Sequence, residues 1–316
     1  MDIDSSTTSV VHQPMASAVQ YQFSGHETFP FRYPWLKKGF DAVADDPSVF
    51  TRDDATTTLG VGKNMVRSIR HWCLAGGILE ENGKLGLRPT AFGRLLLADD
   101  GLDPYLEDPS TLWLLHWQIA TNRTRATTWF WVFSHFHEPE FTREALSSAL
   151  FNWTQALPGK LVAESSVRRD VEVFLRTYVP SRQGRGGFAE DSLDCPLIEL
   201  GLIVQPMGST LYRFHRGLQQ ALPDQVLLFT VLEFWNGFAS TAGTLAIQEL
   251  ARRPGSPGRV FKIDESSLVE RLEGIEALTG GTVSFGETAG LRQLYRHRQL
   301  DPLDLLAKAS AIGGSR

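Results

Sequence analysis

Residues 51–87 read TRDDATTTLGVGKNMVRSIRHWCLAGGILEENGKLGL. The spacing of apolar side chains predicts a short helix over residues 52–59 and a longer one over residues 63–75, and a glycine-containing turn separates them. Two short apolar runs then flank Asn82-Gly83, which is a strong signal for a β-hairpin. Helix, turn, helix and hairpin is the element order of a winged helix.

In a winged helix the second helix enters the major groove of duplex DNA. The face of the 63–75 helix that we expect to be exposed carries basic and polar side chains, namely Lys63, Asn64, Arg67, Ser68, Arg70 and His71. We therefore predict that this face contacts DNA. The alternative is that the module docks on another protein, since small winged helices also serve that purpose.

The same order recurs along the chain. Helices predicted over residues 143–153 and 165–178 precede two short strands near residues 202–215, and the segment from residue 224 onward offers further helices and a hairpin near its end. In that last segment we expect an amphipathic helix over 244–253 and a strand over 260–264. Repetition at a spacing of roughly 90 residues is consistent with degenerate helical modules.

Between the first two modules lies an unusually aromatic region. Its tryptophans and phenylalanines are expected to form a central core rather than a platform for stacking bases, because the helix predicted there is apolar nearly all round. These aromatic residues are Trp113, Trp117, Trp129, Phe130, Trp131, Phe133 and Phe136. The predicted fold is mainly α with short β-hairpins, in which several winged-helix-like modules surround an aromatic-rich helical core. The predicted segments are a disordered leader (1–20), an N-terminal motif with a winged-helix-like domain (21–108), a helical core with a second module (109–223) and a mainly helical C-terminal module (224–316).

A second informative stretch, FSGHETFPFRYPWLKK, occupies residues 23–38. Cleavage of a phosphodiester needs a base or nucleophile, a cation that neutralises the phosphate, and a proton donor. His26 could act as base or metal ligand, Glu27 could hold a divalent cation such as magnesium, and Arg32 could clamp the phosphate. Lys37 and Lys38 follow on the predicted helix and could assist in contacting DNA. The alternative is structural: Glu27 pairs with Arg32, and His26 bonds the backbone and pins the leader to the first helix.

The FSGHETF signature at residues 23–29 resembles the opening of a bacterial family formerly catalogued as a domain of unknown function, the SspB-like family of DNA phosphorothioation and phage-defence systems. That resemblance implies a protein that nicks duplex DNA. It also implies partners that handle sulfur: a cysteine desulfurase, an ATPase and an adenylating enzyme.

Further basic residues extend the predicted DNA surface. Arg168 and Arg169 lie on the predicted 165–178 helix, and Arg182 and Arg185 lie in a glycine-rich stretch that is either an arm contacting the DNA backbone or a simple linker. His135 and His137, with Glu138 and Glu140 nearby, could form a weak metal site or could simply be surface residues at a helix end.

Composition limits the remaining possibilities. The chain has 316 residues and a net charge of −5, which argues against non-specific coating of DNA but not against local arginine clusters. Its two cysteines, Cys73 and Cys195, exclude a disulfide framework and favour a reducing cytoplasm. No apolar run approaches the roughly 18 residues of a membrane span, and the first twenty residues do not have the pattern of a signal peptide.

These observations lead to one expectation with two alternatives. We expect a DNA-binding protein without membrane association that, as the resemblance implies, nicks duplex DNA. A homodimer would be natural for a winged-helix protein that binds DNA. The alternatives are a non-catalytic winged-helix scaffold or regulator of DNA, and a protein-interaction module that recruits sulfur-transfer enzymes.

Overall fold

The computed structural model describes residues 20–158, 161–180 and 195–313, and this part of the chain is mainly helical with three small antiparallel sheets. The predicted mainly α class with short hairpins is therefore confirmed. Nearly all of the predicted disordered leader lies outside the described residues. Among the helices of the described part, none combines the length and hydropathy that a bilayer crossing requires.

The first group of elements follows the order predicted for residues 51–87. It comprises helices α1 (Tyr33–Asp45), α2 (Ala55–Leu59) and α3 (Lys63–Ala75), strands β1 (Leu79–Glu81) and β2 (Leu87–Pro89), and helix α4 (Ala91–Leu97). Gly86, with φ of 95°, allows β2 to approach residue 47 closely, because a Cβ there would lie 2.2 Å from the carbonyl oxygen of Pro47. The amide of Leu87 donates to that same oxygen at 2.9 Å.

Two buried helices, α5 (Pro109–Thr121) and α6 (Thr127–Ser134), lead into the second group. The group continues with β3 (Glu140–Phe141), α7 (Arg143–Gln155), α8 (Glu164–Tyr178), β4 (Ile203–Val204) and β5 (Tyr212–Phe214). The sheet order is β3-β5-β4, so the strand before the helices joins the later hairpin. Thr142 caps α7 by accepting a hydrogen bond from the amide of Ala145.

The third group repeats this connectivity. It comprises α9 (Asp224–Ala239), β6 (Thr244–Ala246), α10 (Ile247–Arg252), α11 (Pro257–Val260), α12 (Glu265–Leu272), α13 (Ile275–Leu278), β7 (Val283–Thr288), β8 (Leu291–Arg296) and a final helix α14 (Pro302–Gly313). The sheet order is β6-β8-β7, again with the first strand paired to the last. Helices α3, α8 and α12 begin at residues 63, 164 and 265, so corresponding helices start 101 residues apart.

Two predictions for the third group were wrong. The helix expected over 244–253 is divided, because residues 244–246 pair with β8 as strand β6 before α10 begins. The strand expected over 260–264 is absent from the described residues. There Pro257 begins the short helix α11, and Lys262 then turns the chain with φ of 58°.

Among the described residues, most buried apolar side chains form one continuous cluster drawn from all three groups, and Ala55, Leu59 and Val66 form a second, small cluster. The prediction for the aromatic region is confirmed, because its tryptophans and phenylalanines are at most 6% exposed. Rings from α5, α6 and α8 contact one another edge-on; Phe133, for example, lies 5.3 Å from Tyr178. This core holds α3 and α8 in position on the first two groups.

Candidate nucleic-acid interface

Residues 23–29, which we call the signature loop, form a compact series of turns between the leader and α1. Ser24, Glu27 and Thr28 have φ of 60°, 48° and 71°. These angles lie in the left-handed region, which residues other than glycine rarely adopt. For the β-branched Thr28 this conformation is especially costly. Such a backbone persists only where the surrounding contacts hold it.

His26 lies at the centre of the loop and is almost completely buried. The amide of Thr28 donates to its Nδ1 at 3.2 Å, and its Nε2 lies 3.1 Å from Oδ1 of Asp170 on α8. Because Nδ1 accepts a hydrogen bond, the ring proton belongs on Nε2, where it is donated to the carboxylate. Both nitrogens are thus occupied within the protein, which favours the structural alternative for His26 over that of a base reaching a phosphate in solvent.

Asp170 is the main anchor of the signature loop. Its Oδ1 also accepts from the backbone amide of Ser24 at 2.7 Å and faces the hydroxyl of that residue at 3.4 Å, while Oδ2 accepts from Thr128 on α6 at 2.9 Å. A buried carboxylate is stable only when its oxygens are hydrogen-bonded in this way. Asp170 was not among the predicted site residues, although an acid between Val167 and Val171 on the apolar face of α8 was a visible signal.

The other side of the signature loop packs against α3. Trp72 donates from Nε1 to the carbonyl of Phe29 at 2.9 Å. A Cβ on Gly25 would lie 2.5 Å from Nδ1 of His71, so only glycine permits this approach. The loop therefore touches α3 on one side and α8 on the other, and it fixes the two helices relative to each other.

Two residues predicted on the exposed face of α3 are buried, and one of them, His71, lies against Gly25 of the loop. Ser68 and His71 are 0% and 5% exposed. Within the described residues neither Ser68 Oγ nor either ring nitrogen of His71 has a hydrogen-bond partner, and the same holds for Nε1 of Trp129. Burial, with smaller contributions from His26 and Arg125, lowers the pKa of His71 well below its ordinary value, so the ring is neutral at pH 7.

Around the loop lies a basic rim, formed by Arg67, Arg70, Arg125 and Arg176. Arg67 lies 3.5 Å from Glu27, whereas Arg70 and Arg125 both bind Glu81, at 2.8 and 2.9 Å. Arg176 on α8 donates to the carbonyl of Thr28 at 3.3 Å. The rim thus joins α3, the segment before α6, and α8.

The other predicted residues are distributed as follows. Lys63 and Asn64 are exposed at the start of α3. Lys37 binds Asp41 and Asp99 at 2.6 and 2.8 Å, and Lys38 donates to the carbonyl of Leu59 at the end of α2, so both ammonium groups already have partners within the first group. Arg32 lies over the ring of Trp35 at 5.4 Å.

On α8, Arg168 is exposed and binds Glu164 at 2.6 Å, and Arg169 donates to the carbonyl of Ser165 at 3.2 Å. Arg182 and Arg185 lie outside the described residues. The structure thus brings Glu27 and Arg67 together with Arg176 at one rim, and it keeps Lys37 and Lys38 on a separate part of the first group.

The described residues do not bring together a set of side chains that could coordinate a metal ion. In the described ranges no group of three or more His, Cys, Asp or Glu side chains could hold a metal ion. His135 stacks on Trp153, and His137 accepts from Arg259 at 3.1 Å. Magnesium prefers several oxygen ligands, but the oxygens of Asp170 are taken by neighbouring donors and Glu27 faces Arg67.

This chain is similar to a known protein family and to crystal structures of SspB. The model of the family described as "Protein of unknown function (DUF4007)" matches residues 23–309, beginning at the signature loop. The fold is similar to a crystal structure of magnesium ion-bound SspB, with a TM-score of 0.84 and 32% sequence identity, over 95% of this chain and 90% of the SspB chain. It is also similar to a second SspB crystal structure, with a TM-score of 0.82 and the same identity and coverage. Among curated proteins none matches the chain.

Proposed function

This chain belongs to the DUF4007 family, and from that membership and its likeness to SspB we propose that it is an SspB-like protein that binds duplex DNA. One observation carries the proposal: the signature loop ties α3 to α8, the corresponding helices of two successive element groups. We propose that these groups are winged-helix modules and that α3 enters the major groove. A fixed spacing between the two helices would then let one duplex contact both.

The charges of the basic rim suit this role. The pairs of Arg67 with Glu27 and of Arg70 with Glu81 are exposed, and such pairs are worth only about 0–1 kcal/mol. A DNA phosphate can replace a carboxylate at little cost, and the guanidinium fork suits phosphate as well as base edges. Lys63 and Asn64 would add contacts at the first turn of α3.

The test is a duplex-binding measurement at several salt concentrations. Replacing Arg67 and Arg70 together with alanine should cost about 1–3 kcal/mol for each arginine that reads a base, or mainly reduce the salt dependence where phosphate is contacted. The matched control replaces Arg253 and Arg292, whose exposure lies between that of Arg70 and that of Arg67 and which are also paired with glutamates. If the double variant and the control bound duplex DNA with equal affinity, α3 would not be part of the DNA-binding surface.

We propose nicking of duplex DNA as a second function, because the partly exposed carboxylate of Glu27 is held on strained backbone at the edge of the basic rim. In this proposal Glu27 takes the proton of a water that attacks phosphorus, while Arg67 and Arg176 neutralise the phosphate as its bond to the leaving oxygen breaks. The leaving oxygen takes its proton from solvent. Conversion of supercoiled plasmid to the open circle by purified protein, with and without magnesium, tests this function.

The signature also supports a setting in a phosphorothioation-linked anti-phage system, with a cysteine desulfurase, an ATPase and an adenylating enzyme as partners, and the low cysteine content supports a place in the cytoplasm. A non-catalytic DNA scaffold would bind duplex DNA without nicking it. A protein-interaction module would bind the sulfur-transfer enzymes but show no salt-dependent retention on duplex DNA. Size measurement with and without DNA would test the proposed homodimer.

A further inference from the structure

A second cluster of basic side chains lies far along the chain, where the second and third groups of elements meet. It lines a cavity of about 370 Å³ beside the turn between α11 and α12. Four of the lining residues are basic, namely Arg216, Arg252, Arg259 and Lys262, and two are acidic, Asp264 and Glu265. We call this the basic pocket.

Arg216 and Arg259 are held in place by neutral groups. Arg216 donates to the carbonyl of His137 at 3.1 Å, and Arg259 donates to the carbonyl of Arg252 at 3.0 Å and to Nδ1 of His137 at 3.1 Å. These bonds orient both guanidinium groups but do not neutralise them. Within the described residues, neither arginine forms a salt bridge with a carboxylate.

Lys262 is the most unusual member of the basic pocket, because it is only 8% exposed. Its Nζ donates to the carbonyl of Phe133 at 3.0 Å and lies 4.2 Å from the ring centre of Phe214. Its backbone has φ of 58°, and its carbonyl accepts from the amide of Gly217. In the described part of the chain it forms no salt bridge, although buried lysines are normally paired.

The carboxylates of the basic pocket bind partners other than Arg216, Arg259 and Lys262. Asp264 caps α12 by accepting from the amide of Ser267 at 2.8 Å, and Glu265 binds Arg252 at 3.1 Å. Burial, together with the nearby Arg216 and Arg259, lowers the pKa of Lys262 well below its ordinary value. Burial, together with Arg216 and Arg252, also lowers the pKa of Arg259. The cations therefore repel one another across the cavity.

We propose that the basic pocket binds the phosphoryl group of a phosphate ester, held by Arg216, Arg259 and Lys262. A phosphoryl oxyanion supplies the negative charge that these residues lack, and its several oxygens can accept from donors that converge from different elements. The cavity is much larger than a water molecule, whose share of the liquid is roughly 30 Å³. It therefore has room for a phosphate together with part of the group that carries it.

The phosphoryl group could belong to the backbone of DNA or to a small phosphorylated molecule. Both sources share the same chemistry at the pocket. This site is separate from α3 and the signature loop, so it does not depend on the proposed function of that surface.

The first experiment measures the thermal stability of the full chain in inorganic phosphate and in sodium chloride at equal ionic strength. We expect the melting temperature to rise with the logarithm of phosphate concentration beyond any effect of chloride, since a ligand that binds only the folded state stabilises it in this way. Arg259→Gln and Arg216→Gln should each need at least about tenfold more phosphate for the same increase, the change expected when one charged hydrogen-bond donor is lost.

Arg253→Gln is the matched control, because Arg253 follows Arg252 directly but pairs with Glu249 and does not line the basic pocket. It should respond to phosphate like the unaltered protein. A melting temperature no higher in phosphate than in chloride would overturn the proposal, as would equal responses of the Arg259 and Arg253 variants.

Duplex DNA binding then identifies the source of the phosphoryl group. If Arg259→Gln weakens duplex binding and reduces its salt dependence, the pocket holds a backbone phosphate. If phosphate stabilises the protein but duplex binding is unchanged, the ligand is a small phosphorylated molecule. Both results support the pocket, and neither depends on Arg67 or Arg70.

Discussion

Replacing Asp170 with asparagine tests whether the signature loop is held by its buried carboxylate. The change keeps the size and shape of the side chain but turns one acceptor oxygen into a donor amide. Three partners lie within 3.1 Å of the carboxylate: the amide of Ser24, Nε2 of His26 and the hydroxyl of Thr128. Their bonds to a carboxylate are charge-assisted, whereas bonds to an amide are neutral.

The expected cost follows from these three bonds. A hydrogen bond to a charged group contributes roughly 1.5–3 kcal/mol and a neutral one roughly 0.5–1.5 kcal/mol, so each bond should lose about 1 kcal/mol. Asp170→Asn should therefore lower the free energy of unfolding by about 2–3 kcal/mol. Exchange of the Ser24 amide hydrogen with solvent should accelerate as well, because that amide donates to the altered group.

Urea unfolding followed by tryptophan fluorescence measures the first quantity, and hydrogen exchange measures the second. Glu172→Gln is the control, since Glu172 is an exposed acid on the same helix and its loss removes the same charge. Its effect should stay within about 0.5 kcal/mol. If Asp170→Asn cost no more than this control, the carboxylate would not be the anchor of the loop.

The remaining predictions concern the loop and the buried histidines. Glu27→Gln should change the free energy of unfolding by at most about 0.5 kcal/mol, because its pair with Arg67 is exposed; loss of plasmid nicking at unchanged stability would support a catalytic Glu27, and unchanged nicking would remove it from that role. Thr28→Gly should leave stability unchanged or raise it by up to about 1 kcal/mol in urea unfolding, since glycine relieves the left-handed strain; a clear loss would contradict that strain. Burial lowers the pKa of His116 from 6.5 to about 3 and also lowers that of His71. Because the unfolded chain then binds protons that the folded chain excludes, stability should fall as pH drops below 6.5, by up to about 1.4 kcal/mol per pH unit for each residue. His116→Gln should make the decline between pH 7 and 5 shallower, and an equally steep decline would assign it to other groups.

The repeated helices and hairpins could be predicted from sequence because their signals are local. Apolar residues at helical spacing identify α3 and α8, and Asn82-Gly83 identifies the first hairpin. Strand β6 could not be predicted in this way, because its three residues become a strand only by pairing with β8. The opposite error occurred at residues 260–264. Their apolar run resembles a strand, but Val260 ends the short helix that Pro257 begins, and residues 260–264 do not pair with a strand in the described part of the chain.

The candidate site was predictable only in part for a related reason. The signature showed that His26 and Glu27 were unusual, but it could not show that Asp170, 144 residues later, binds His26. An acid within the apolar face of α8 indicated a buried partner without identifying it. Lys262 was likewise missed, because a single lysine in a short apolar run carries no sign of the arginines that approach it from other elements.

The bond between Ser24 and Asp170 joins residues that are 146 positions apart. Contacts of such long sequence separation form late in folding, because closing a long loop costs entropy before any bond is gained. During synthesis the first group of elements leaves the ribosome well before α8, so at that stage the signature loop can contact α3 but cannot yet form its bonds to Asp170. These bonds can form only after α8 has docked, so their formation marks the packing of the second group of elements against the first.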